Sequence, residues 1–178
     1  MSKFKDQLLI QRFKREQAEL VRNRKTFNLN NAKTIGLLFF IENNNKYKHA
    51  LETIKSFQEK NLKVQALGFI NEKNYPAYFH PMIYFNIFTL KDINWYGKPK
   101  TNTVQNFIKM DYDILIDMSA GDHFILKYIA GLSAARFKVG RFGDENDKYY
   151  DLMIMMDKNL RFDDYINQVI HYLNLINN

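Results

Sequence analysis

From residue 34 onward, runs that are apolar on both faces alternate with segments whose apolar residues return every three or four positions. TIGLLFFI (34–41) has no polar side to expose, which is what a central strand of a parallel sheet requires. Over 46–60, Tyr47, Ala50, Leu51, Ile54 and Phe57 recur at helical spacing, and VQALGFI (64–70) returns to a continuous apolar run. Strand, helix and strand in this order predict a parallel βαβ unit.

Residues 71–100 are less regular. Pro76, Pro81 and Pro99 punctuate an aromatic-rich stretch, within which 84–88 predicts a short strand. Beyond it the alternation resumes. Helices are expected over 103–110, 123–134 and 162–176, and strands over 111–119, 137–142 and 152–157. Asp163 and Asp164 fall near the positive end of the last helix. The pattern predicts an α/β fold, a doubly wound, mostly parallel Rossmann-like sheet of five or six strands with helices on both faces. The expected strand order is 3-2-1-4-5-6.

The first 33 residues read differently. At 100° per residue, Leu9, Ile10, Phe13, Leu20 and Val21 fall on one side of a helix and Lys5, Arg12, Arg15 and Arg22 roughly opposite. Asn28, Asn30 and Asn31 form a polar connection. Residues 1–33 are therefore expected to be a basic helical extension and 34–178 a Rossmann-like domain. The net charge of +7 sharpens this division: residues 1–33 hold nine Lys or Arg against three Asp or Glu, a net of +6, which leaves +1 for the body. An arm so charged suits an anionic partner such as nucleic acid. The chain has no cysteine, hence neither disulfides nor a thiolate site. No apolar run approaches the ~20 residues of a membrane helix, and MSKFKDQ does not read as a secretory signal. A cytoplasmic protein without a membrane span is expected.

Candidate chemistry is sparse. DMSAGDH places Asp117, Ser119, Asp122 and His123 in one segment after a predicted strand, where ligands of such sheets bind. Ser119 is flanked by Met118 and Ala120 rather than the glycines of a nucleophile elbow. Asp122 reads as the N-cap of the next helix and Asp117 as a strand-end carboxylate held by backbone donors. Neither ENNNKYKH nor AGDH supplies a glycine-rich phosphate loop, so no dinucleotide cofactor is expected. His49, His80, His123 and His171 are widely scattered, and no metal site is expected. NWYGKPK (94–100) combines the sole tryptophan, Trp95, with Lys98 and Lys100. Such a segment can stack on a base beside a phosphate, or Trp95 can plug a sheet edge while Gly97 and Pro99 make a turn. YPAYFHPMIYF (75–85) can be a partner surface or core beneath a long connection.

KTIGLLFFI with the helix after it, NWYGKPK, DYDILIDMS and FKVGRF together resemble an uncharacterised family of small Bacteroidetes proteins that begin with a basic helix. A fainter similarity links DYDILID, Val139 and Gly140 to the N-terminal half of heptosyltransferase-type glycosyltransferases. That likeness implies the same fold; the activity would need a second nucleotide-binding domain, and the chain ends before one begins.

Three readings follow. In the first, a non-enzymatic cytoplasmic protein contacts RNA or the ribosome through Arg12, Lys14, Arg15, Arg22, Arg24 and Lys25, with Trp95, Lys98 and Lys100 as a second contact. In the second, a small-molecule or nucleotide-binding domain related to half of a glycosyltransferase uses Asp117, Ser119 and Asp122. In the third, the apolar stripe of the arm pairs with a second copy to form a homodimer.

Overall fold

The computed structural model describes residues 3–119, 121–155 and 162–176. Six parallel strands form one sheet: β1 (Thr34–Phe40), β2 (Lys63–Phe69), β3 (Phe85–Phe88), β4 (Ile114–Asp117), β5 (Phe137–Arg141) and β6 (Leu152–Ile154). Their order is β3-β2-β1-β4-β5-β6, the order expected from the alternation. The helices are α1 (Lys3–Ala18), α2 (Asn44–Gln58), α3 (Asn102–Lys109), α4 (Phe124–Leu132) and α5 (Phe162–Leu175). Residues 156 and 157 of the last predicted strand, and the side chain of Asp163, lie outside the described residues.

The central strands feed two cores, because their apolar residues alternate faces. Ile35, Leu37 and Phe39 of β1 pack with Tyr47, Ile54 and Phe57 of α2 and with Tyr165, Val169 and Leu173 of α5. Leu38 turns the other way, toward Val104 and Phe107 of α3 and Leu126 and Ile129 of α4. Asp113 fixes the start of β1: its Oδ2 accepts from the backbone N–H groups of Lys33 and Thr34 at 2.8 and 3.0 Å. Register and capping therefore come from one carboxylate.

The amino-terminal helix forms a further layer outside α4. Leu9 and Phe13, 2% and 3% exposed, pack against Tyr128 and Leu132. Phe13 reaches so close to α4 that a Cβ on Gly131 would meet its ring at 2.6 Å. The helix ends at Ala18, earlier than the apolar stripe suggests. Val21 consequently lies off the helix and is almost fully exposed, and Ile10 is exposed beside the stripe. Beyond the helix, Phe27, Leu29 and Ala32 enter the main core.

Between β5 and β6 no helix intervenes. A ten-residue connection with one short 3-10 turn, Asn146–Lys148, returns the chain across the sheet, and Gly140 lets the Tyr150 ring lie on β5, where a Cβ would meet it at 2.5 Å. Among the described residues no helix is long and apolar enough to cross a membrane.

Candidate nucleic-acid interface and strand-end crevice

The turn at 94–99 is built by its own backbone. Ile93 and Pro99 bridge, Asn94 Oδ1 accepts from the N–H groups of Tyr96 and Lys98, and Gly97 adopts φ 100°, a left-handed value that favours glycine. Turn chemistry is thus as the sequence suggests. Trp95 does not plug the sheet edge: it is 63% exposed, edge-on to Tyr96 with ring centroids 5.2 Å apart. A residue at the tip of a tight turn has no strand face to bury against.

This turn docks on α1. The Arg12 guanidinium lies 5.9 Å from the centroid of the Tyr96 ring, and the ammonium of Lys98 binds Glu16 Oε1. The other oxygen of Glu16 accepts from Tyr128 of α4 at 2.8 Å, so one carboxylate ties helix, turn and body together. Two segments some eighty residues apart are thereby joined, and Arg12, Arg15, Trp95 and Lys100 on them are exposed. Lys98 is only partly available there because Glu16 balances its charge.

The remaining arm cations lie elsewhere. Lys14 is exposed on the opposite flank, where its charge helps lower the carboxyl of Glu145, held down chiefly by Lys148. Arg22 is a structural residue rather than a surface donor. Its side chain is 8% exposed, pairs with Asp151, and donates to the carbonyls of Ala135 and Arg136 before β5. Arg24, 3.9 Å from Asp151, and Lys25, whose ammonium stands over Phe27, remain exposed nearby.

At the carboxyl end of β4 and β5 lies a cavity of about 340 Å³ lined in part by Asp117, Ser119, Asp122, Arg141, Asn146 and Tyr150. Asp117 is buried and accepts from Tyr150 Oη at 2.6 Å and from the Ser119 N–H at 2.9 Å. Burial raises its pKa, and hydrogen bonding from Tyr150 and Ser119 opposes that rise. The Ser119 hydroxyl bonds the Gly121 carbonyl at 3.4 Å. His123 stacks on Phe40 at 3.7 Å, and burial lowers its pKa against the pull of Asp117. The serine–histidine pair of a hydrolase is not formed. Asp122 is not the cap of α4: His123 occupies that position, and Asp122 pairs instead with Lys127 at 2.7 Å.

Of the other histidines, His49 faces Glu52 at 3.4 Å, the His80 carbonyl accepts from Tyr47, and His171 lies against Tyr172. Among the described residues no group of three or more His, Asp or Glu is placed to hold a metal. The aromatic stretch 75–85 splits. Phe85 is core, Tyr78 and Phe79 pack on it, and Tyr75 is exposed. Sequence reasoning missed Tyr150 and Asn146. Both lie between the strands predicted over 137–142 and 152–157, and their partners in space leave no spacing signal.

The chain belongs to a family of unknown function, DUF6913, whose model matches residues 5–176. No curated protein and no solved structure matches it.

Proposed function

Membership of that family brings no activity with it, and we propose from the chain's own surface that it is a non-enzymatic RNA-binding protein. Single-stranded RNA is taken across the joint face of α1 and the 94–100 turn. The observation that carries this reading is the docking of Arg12 on Tyr96 beside the exposed ring of Trp95. An aromatic plane flanked by cations suits a base and its phosphates, and stacking on such a ring contributes about 1–3 kcal/mol per base. Arg12, Arg15 and Lys100 supply the phosphate contacts, which act through counterion release and weaken with salt.

Trp95 is the sole tryptophan, so its fluorescence reports this face alone. Adding single-stranded RNA at low salt is expected to quench it. The apparent Kd should rise steeply between about 50 and about 200 mM salt. Trp95→Ala is expected to weaken binding, measured by anisotropy of labelled RNA, about 5- to 100-fold. Unquenched Trp95 fluorescence at saturating RNA, or affinity unchanged in Arg12→Gln/Arg15→Gln, would sink the proposal.

A second reading, a small-molecule or nucleotide site in the β4–β5 crevice, is favoured by Asn146. This residue is 5% exposed, its Nδ2 donates to the Arg141 carbonyl, and its Oδ1 is buried without a partner beside the cavity. Ligand binding to the folded state raises its melting temperature. A screen of nucleotides and sugar nucleotides with no such rise counts against it. A homodimer through α1 would have to use apolar residues other than Leu9 and Phe13, which pack against α4 of the same chain.

A further inference from the structure

Lys138, the second residue of β5, belongs to neither surface. It is 2% exposed, and its ammonium donates to the Gly131 carbonyl at 2.9 Å, one bond for a group with three donors. A buried cation needs a counter-charge, and the nearest carboxylate is already engaged. Asp151 Oδ2 accepts from the backbone N–H of Lys138 itself at 2.8 Å and from Arg22, while Oδ1 accepts from Arg22 Nη1 at 3.1 Å. Arg24 stands over the same carboxylate at 3.9 Å with its side chain 75% exposed.

These groups line a pocket of about 160 Å³ between the end of the arm and the β5–β6 connection. The arm contributes Arg22, Arg24 and Gln17 to its wall. The connection contributes Asp147, Lys148, Tyr149, Tyr150 and Asp151. Lys148 is paired with Glu145 outside the pocket, which leaves Arg22, Arg24 and Lys138 facing Asp147 and Asp151, one cation in excess and room for an anion. The volume admits a phosphate-sized group and excludes a nucleotide, whose remainder would have to project outward.

We propose that this pocket binds one tetrahedral oxyanion, a phosphate or sulfate group, with the Lys138 ammonium and the exposed Arg24 guanidinium, only loosely paired with Asp151, as the donors. Burial and the neighbouring charges of Arg22 and Arg24 hold the Lys138 pKa down to about 7, against the opposing pull of Asp151. An entering anion supplies the missing counter-charge, favours the ammonium and draws in a proton. Affinity is therefore greater on the acid side of neutrality.

Calorimetric titration of the full chain with sodium sulfate tests this, because sulfate keeps its charge across the range. Saturable binding is expected near pH ~6.5, weakening on the order of tenfold by pH ~8.5. Lys138→Met, which removes a buried charge and should fold well, is expected to abolish binding, and Arg24→Gln, at an exposed side chain, to weaken it several-fold. Inorganic phosphate binding as tightly as ribose 5-phosphate assigns the free ion; tighter binding of the ester assigns an esterified phosphate. Either result upholds the pocket. No saturable binding of sulfate, phosphate or ester, or sulfate binding left intact in Lys138→Met and Arg24→Gln, overturns it. No RNA enters the experiment, so its failure leaves the Arg12–Trp95 surface to its own test.

Discussion

The Tyr150 hydroxyl donates to the buried carboxylate of Asp117 at 2.6 Å, joining the end of β4 to the connection that replaces a crossover helix before β6. Because burial raises the folded pKa of Asp117 above its unfolded value of about 3.9, the folded state binds the proton more tightly. Stability from this group is full below the unfolded value and is lost as pH rises through the folded one. Asp117→Asn keeps an oxygen acceptor for Tyr150 without the charge. Urea midpoints from about pH 4.5 to about pH 7.5 should therefore shift in favour of the variant as pH rises. Parallel profiles for the two proteins would contradict the assignment.

Arg22 forks onto both oxygens of Asp151 and also donates to the carbonyls of Ala135 and Arg136. Removing the guanidinium strands a carboxylate only 18% exposed and two carbonyls. Arg22→Ala is expected to cost about 3 kcal/mol in chemical denaturation. Arg22→Lys should recover part of that, since a point charge cannot reproduce the fork. Wild-type stability in Arg22→Ala would show the pair to be ornamental.

Phe13 is 3% exposed between Phe124, Tyr128 and Tyr149. Phe13→Ala should destabilise by about 3–5 kcal/mol, and Gly131→Ala by about 1–3 kcal/mol through the reverse fault, overpacking against the same ring. Val21→Asn, on a fully solvated side chain, should change stability by less than about 0.5 kcal/mol. Thermal and urea unfolding of the three variants would rank them, and a different ranking would mean that α1 does not dock as described.

With its folded pKa lowered to about 7, Lys138 is protonated in the unfolded chain and half neutral in the native one. The unfolded state then binds more protons between pH ~7 and the unfolded value near 10.4, so stability rises with pH across that window. Measurement should stop near pH ~9, before tyrosines ionise in the unfolded chain. Lys138→Met is expected to be more stable at neutral pH by on the order of 2 kcal/mol and to lose the rise. A rise retained in the variant would place its origin elsewhere.

Strand order and the two-sided core were readable because a buried parallel strand must be apolar on both faces, which β1 satisfies in every central position and β2 in all but Gln65. β3 was blurred, since only Phe85–Phe88 is regular and the prolines before it erase the period. The end of α1 was unreadable for a tertiary reason. No glycine or proline stops the helix, and the chain beyond Ala18 is held by Arg22 reaching carbonyls more than a hundred residues away. The basic arm and NWYGKPK stood out singly, yet their meeting through Arg12, Tyr96, Glu16 and Lys98 has no trace in linear spacing. Lys138 was read only as a strand residue, because a lysine buried on a strand face looks the same in sequence as one that faces water.

Leu9 and Phe13 seat α1 against α4, so Arg12 and Arg15 stand on a rigid rail about 4.5 Å apart along its axis. Such a rail cannot wrap a polymer, and the burden of adjustment falls on whatever lands on it. A limp strand loses its own freedom on landing, whereas a loop already splayed to that spacing arrives with less to surrender. If RNA binds there as proposed, discrimination would be by contour, with no reading of base edges, because of the way this helix is seated.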